Sequence, residues 1–186
     1  MANAAEPLGE RVSYFAAAAV RNAGGWSASE VDLSGVADVE EVADRLRDVD
    51  PEADLSLLFV ESDDAYLVIL RLDEGEDLRV FGSDSVFAAE SRLGALLLGD
   101  VEAPALEIDE AVPAEPAADA EEEPERPAPE PDVDPVGDAD LLADLGISSS
   151  RLLELCGHDG MLPADVTAEV CTAIGCGDEI EELREA

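Results

Sequence analysis

Eight of the chain's 11 prolines lie between Asp100 and Pro135, set among Glu, Asp and Ala in runs such as Ala-Asp-Ala-Glu-Glu-Glu-Pro-Glu-Arg-Pro. Such a stretch buries too little apolar surface to offset the entropy of ordering it; its prolines stiffen it and its like charges repel along it. Residues 101–136 are therefore expected to form a disordered, extended linker between two folded parts, 1–100 and 137–186. A part of about 100 residues can close a usable core, whereas one of fewer than about 50 is marginal. The C-terminal part is thus expected to dock on the first part, on a second copy of the chain or on a partner.

The N-terminal part reads as mixed strands and helices. Val12–Val20 and Trp26–Leu33 flank Asn22-Ala-Gly-Gly25, a turn that uses glycine at positive φ, and so predict a β-hairpin; the run of alanines leaves a helix over 14–21 as the alternative. Val39, Val42, Leu46 and Val49 recur at helical spacing behind the capping pair Asp38 and Glu41, which predicts a helix over 38–48 ended by Asp50-Pro51. Leu55–Glu61 and Ala65–Leu72 read as a second hairpin, and Leu78–Gly82 as a fifth strand after the turn at 74–77. Leu67–Leu70 is apolar at every position, as in a strand covered on both faces, and Arg71 stands out beside it. Phe87, Leu93, Leu96 and Leu97 suit a second helix over 85–98, capped from Ser83, Asp84 or Ser85 and stopped by Gly99.

The fold class expected is α+β: an antiparallel sheet of about five strands with two helices, in the order ββαβββα and with the helices on one face, followed by a small all-α part. The helices of that second part are read at Ala139–Leu145, Ser150–Cys156, Pro163–Ile174 and Asp178–Arg184, the first three stopped by Gly146, Gly157 and Gly175. Pro163 suits a first helical turn, and Asp178 with Glu181 repeats the capping pair.

Charge narrows the function. The chain carries 47 acidic side chains against 10 basic ones, all arginine, for a net charge of −37. The excess is spread, with −14 over residues 1–99, −13 over 100–137 and −10 over 138–186. This field repels nucleic-acid backbones and anionic membranes, whose binding needs cationic side chains to replace counterions. Two readings remain: a solvated surface, as in salt-adapted proteins, and attraction to a basic partner. No apolar run approaches the ~18 residues of a membrane span, and the first residues lack the pattern of a secretory leader. An odd set of three cysteines, all after residue 155, does not suit a disulfide framework. A cytoplasmic protein with reduced thiols is expected.

Few constellations could carry chemistry. Cys156, His158, Cys171 and Cys176 form a set of four zinc-compatible ligands, but the spacing lacks the tight knuckles of structural zinc sites, and apolar cysteines in a small helical core account for it better. Cys156 or Cys171 with His158 would make a Cys-His nucleophile pair, set against a solvated loop histidine, and Ser148 to Ser150 read as a helix cap. Carboxylate pairs such as Asp63-Asp64 and Glu76-Asp77 sit at turns and are too common here to signal acid–base catalysis. A chain without lysine has no lysine-bearing phosphate loop. Trp26 and Tyr66 read as half-buried sheet residues that would also serve as interface anchors, and Arg71 and Arg79 as local partners of carboxylates. No catalytic residue, metal or cofactor is expected.

Five stretches together resemble the actinobacterial tRNA adenosine deaminase-associated proteins: Trp26–Leu33, Ala65–Asp73, Gly75–Asp84, Gly137–Gly146 and Gly160–Asp165. The resemblance spans nearly everything except the linker and implies a non-catalytic associate of a tRNA adenosine deaminase, acting by protein–protein contact, with no catalytic residues to carry over. The deaminase itself needs a His-x-Glu segment and a later Pro-Cys-x-x-Cys. Here the lone histidine reads His158-Asp-Gly160 and no Cys-x-x-Cys occurs. The alternative is an acidic self-associating or regulatory adaptor unrelated to tRNA modification.

Overall fold

The structure is a computed structural model, and it describes residues 14–62, 66–84, 91–98, 135–157 and 161–186. Its centre is a six-stranded antiparallel sheet: β1 (Tyr14–Asn22), β2 (Gly25–Glu30), β3 (Leu55–Ser62), β4 (Tyr66–Asp73), β5 (Asp77–Gly82) and β6 (Val136–Gly137), in spatial order β2-β1-β3-β4-β5-β6. Five α-helices are described: α1 (Val39–Val49), α2 (Arg92–Leu98), α3 (Ser149–Cys156), α4 (Pro163–Ile174) and α5 (Gly177–Glu185), with one 3-10 turn at Ala143–Leu145. The α+β class and the helical C-terminal part are as expected, and β6 adds a strand to the five.

The hairpin at Asn22–Gly25 forms as its residues dictate: the Asn22 side chain accepts the Gly24 N–H at 2.8 Å, and Gly25 takes φ +120°. The alanine run is strand and not helix, because Ala17–Ala19 pair on one side with β2 and on the other with β3, so that ladder bonds and burial override alanine's helical preference. Helix α1 starts as its capping pair requires, Asp38 Oδ1 accepting the Glu41 N–H at 2.9 Å while Glu41 Oε2 accepts the Ala37 N–H at 2.7 Å. The structure departs from the second capping pair: α5 begins at Gly177 after Cys176, with no side-chain cap. The expected helix at 139–145 is a series of turns, since Asp138 Oδ1 takes the Asp140 N–H at 2.9 Å and diverts the backbone from a continuous helix. Of the expected helix at 85–98, Arg92–Leu98 is seen; residues 85–90, like most of the expected linker, lie outside the described residues.

Both faces of the sheet are covered: α1 and α2 share one face, as expected, and the C-terminal part takes the other, the first of the docking places open to it. Ala16, Ala18, Leu58, Val60, Val68, Leu70 and Leu72 meet α1 and α2 through Val42, Leu46 and Leu97. Ala17, Ala19, Leu57, Phe59, Leu67, Ile69 and Phe81 meet the C-terminal part through Leu141, Leu152, Val166, Val170 and Ile180. Two covered faces explain why β3 is buried along its whole length and β4 at all but its last residue, where a one-sided sheet would alternate. Strand β6 brings the chain back to the sheet. A side chain at Gly137, at φ +92°, would put its Cβ 2.1 Å from the Val80 carbonyl oxygen, so only glycine permits this approach.

Candidate functional site

On the sheet face covered by the C-terminal part, the chemistry-bearing side chains hold the fold together. Arg71, expected to pair locally, does so with Asp73: its Nε lies 3.0 and 2.8 Å from the two carboxylate oxygens, and its Nη2 2.7 Å from Oδ1. The same guanidinium also reaches Asp144, with Nη2 2.8 Å from Oδ2 and Nη1 on Oδ1, and donates to the Leu141 carbonyl. Arg79 extends the network, 3.2 Å from Asp73 and 3.6 Å from Asp138. The hydrogen bond to Asp144 raises the pKa of Arg71 despite the opposing effect of burial, and the same bond lowers that of Asp144. Burial pushes Asp73 up, but the bonds and charges of Arg71 and Arg79 outweigh it and hold its carboxyl below the usual range.

A second tie lies at the other end of β3. Glu61, 7% exposed, pairs with Arg184 from the last turn of α5, whose guanidinium sits 4.8 Å from the centre of the Phe15 ring. Nothing in the local sequence signalled this pair, which joins residues 123 apart. Tyr66 is buried, its hydroxyl donating to Ser91 at 2.9 Å. Trp26 is half-buried, with Arg21 5.5 Å from its ring centre.

Of the cysteine and histidine set, the structure brings Cys171 and Cys176 together. Both are fully buried, their thiols share a hydrogen bond, and the Cys176 N–H donates to the Cys171 carbonyl at 2.8 Å. That thiol bond, followed by burial, pushes Cys171 far up, and burial alone pushes Cys156, half-buried at the end of α3, to about 12. Thiols so shifted stay protonated, whereas nucleophilic attack needs the thiolate. Among the described residues no group of three or more His, Cys, Asp or Glu side chains is placed to hold a metal ion, and His158 lies outside those residues. Ser148 caps α3, accepting the Arg151 N–H at 3.2 Å.

What remains is a groove of about 830 Å³ beside α3 and α4. Leu153, Leu155 and Met161 give it an apolar lining, and Ser150, Arg151, Glu154, Gly157 and Glu169 complete it. Leu162, next in sequence, is the one large apolar side chain found exposed among the described residues, at 44%. The sequence held one signal of this surface, the pair Met161-Leu162 ahead of Pro163, two large apolar residues outside any helical period.

A family model described as Rv3753c-like tRNA adenosine deaminase-associated protein matches residues 14–177. No curated protein and no solved structure matches the chain.

Proposed function

The chain belongs to the Rv3753c-like tRNA adenosine deaminase-associated protein family, and we propose that it serves as a non-catalytic accessory protein, binding a tRNA adenosine deaminase by protein–protein contact in the cytoplasm. The observation that carries this reading is the family match over residues 14–177, most of the chain. Three features support it. Arg71, Glu61 and Arg184 are engaged in ties between the sheet and the C-terminal part. The Cys156 and Cys171 thiols are shifted away from their reactive form. A net charge of −37 opposes direct contact with tRNA, so RNA is reached through the partner. No helix among the described residues is long and apolar enough to cross a membrane.

The test mixes the purified chain with purified deaminase from the same genome and follows sedimentation at about 50 mM and about 500 mM salt, with deamination of tRNA measured in parallel. A complex at low salt that weakens at high salt is expected, with no deamination by the chain alone. No complex at low salt overturns the partner reading, and deamination by the chain alone overturns the non-catalytic one.

A further inference from the structure

We propose that the groove beside α3 and α4 docks a basic, amphipathic segment of a partner protein, its apolar side chains on Leu153, Leu155 and Met161 and its Arg or Lys facing Glu154 and Glu169. This rests on the reading of the chain as a partner-binding protein and adds the surface and the chemistry it selects.

The lining calls for apolar side chains. Leu155 is buried and Leu153 and Met161 are half-buried, so these walls are held in place by the core while still facing the groove. A space of about 830 Å³ takes a few side chains of one helix or extended segment, as in helix-in-groove recognition, and not a whole domain face. Leu162 continues the apolar surface beyond it.

Charge selects the occupant. The groove carries two exposed carboxylates and one guanidinium, and Arg151 is already paired with Glu154 at 3.6 Å. Glu169 has no ion pair among the described residues. The chain's own stretch between Asp100 and Pro135, dense in Glu and Asp, is repelled by this rim. A second copy would bring another −37 of net charge. A segment with positive charges flanking apolar residues satisfies both the rim and the lining.

The chain has two methionines, Met1 and Met161, so methyl labelling gives the groove its own NMR signal, with Met1 as the internal reference. The probes are a synthetic helical peptide with leucines four residues apart between flanking arginines, its Arg→Glu counterpart, and the purified deaminase. Binding is measured to the full chain and to the double variant Glu154→Arg, Glu169→Arg, whose fold is checked by circular dichroism. Both positions are exposed, so the variant is expected to fold as the wild type does.

The expected result is a shift of the Met161 signal with the basic peptide and none with the acidic one, and binding of peptide and deaminase at least ~10-fold weaker to the variant. Deaminase binding undiminished in the variant, with Met161 unmoved, overturns the groove and leaves the partner reading standing. Peptide binding at Met161 with no deaminase binding keeps the groove and overturns the deaminase as its partner. Failure of both probes, or equal binding of the acidic peptide, overturns the proposal.

Discussion

Replacing Arg71 by Met tests how the C-terminal part is held to the sheet. Met keeps most of the aliphatic volume, so packing changes little and the experiment reads the lost charge and hydrogen bonds. The Leu141 carbonyl, on a fully buried residue, loses the guanidinium that donates to it, which costs about 1–3 kcal/mol. Breaking a buried ion pair costs about 3–5 kcal/mol, but that figure does not apply in full here. The Asp144 side chain is 57% exposed and that of Asp73 26%, so both rehydrate, and the two lost pairs add about 1 kcal/mol together. The expected destabilisation at pH 7 is therefore about 2–4 kcal/mol.

The acid limb supplies the sign. Both aspartates have native pKa values below their unfolded ones. Their contribution to stability is present above about pH 4 and is lost as pH falls through the lower native values. Arg71→Met removes most of that contribution, so the gap between wild type and variant narrows below about pH 4. Relief of the chain's negative self-repulsion acts on both proteins and cancels in the difference. Urea unfolding at pH 7 and about pH 3, followed by circular dichroism and by fluorescence of Trp26, the only tryptophan, measures the gap. Trp26 packs with the core that the C-terminal helices complete, so its signal reports their release. A penalty under about 1 kcal/mol at pH 7, or a gap that widens in acid, refutes the reasoning.

Gly137→Ala should destabilise by about 3 kcal/mol or more, since backbone at 2.1 Å cannot yield; Gly82→Ala, whose Cβ would meet the movable Leu98 Cδ1 at 2.5 Å, should cost about 1–3 kcal/mol, and thermal unfolding ranks the two. Raising salt from about 0.05 to about 1 M should raise the urea midpoint, as screening relieves a net charge of −37; an unchanged midpoint would show that self-repulsion does not limit stability. With a thiol reagent at pH 8, Cys171 and Cys176 should react only on unfolding and Cys156 slowly in the native state, as its thiol pKa of about 12 dictates; rapid native labelling of all three would contradict the packing.

Most elements were legible in the sequence because their signals are local. The Gly24-Gly25 turn, the Asp38–Glu41 cap, the apolar run of β4 and Pro163 at the head of α4 each act within a few residues. The misreadings share one cause. Where Asp138–Leu145 goes is decided by burial of Leu141 and Leu142 against the sheet and by the reach of Asp144 to Arg71, 73 residues away. No helical period encodes that. Strand β6 is two residues long and exists because Gly137 fits against Val80, a tertiary fact. Coverage of the second face followed in part from Leu67–Leu70 of β4, whose uninterrupted apolar run suits a strand covered on both faces. The groove was the least visible feature, since its lining alternates with core positions of α3 and only Met161-Leu162 breaks the pattern.

The tie between Arg184 and Glu61 spans 123 residues, and its consequence falls on the chain as it is being made. At about 5–20 residues per second, synthesis needs roughly 6–25 s to pass from one partner to the other. Through that interval β1, β3 and β4 can pair, yet Leu57, Phe59 and Ile69 lack the helices that cover them. The nascent chain therefore carries an open apolar sheet face until residues 141–180 have left the ribosome. Products cut short before that point would keep the same face uncovered, and exposed apolar sheet of this kind is prone to aggregate.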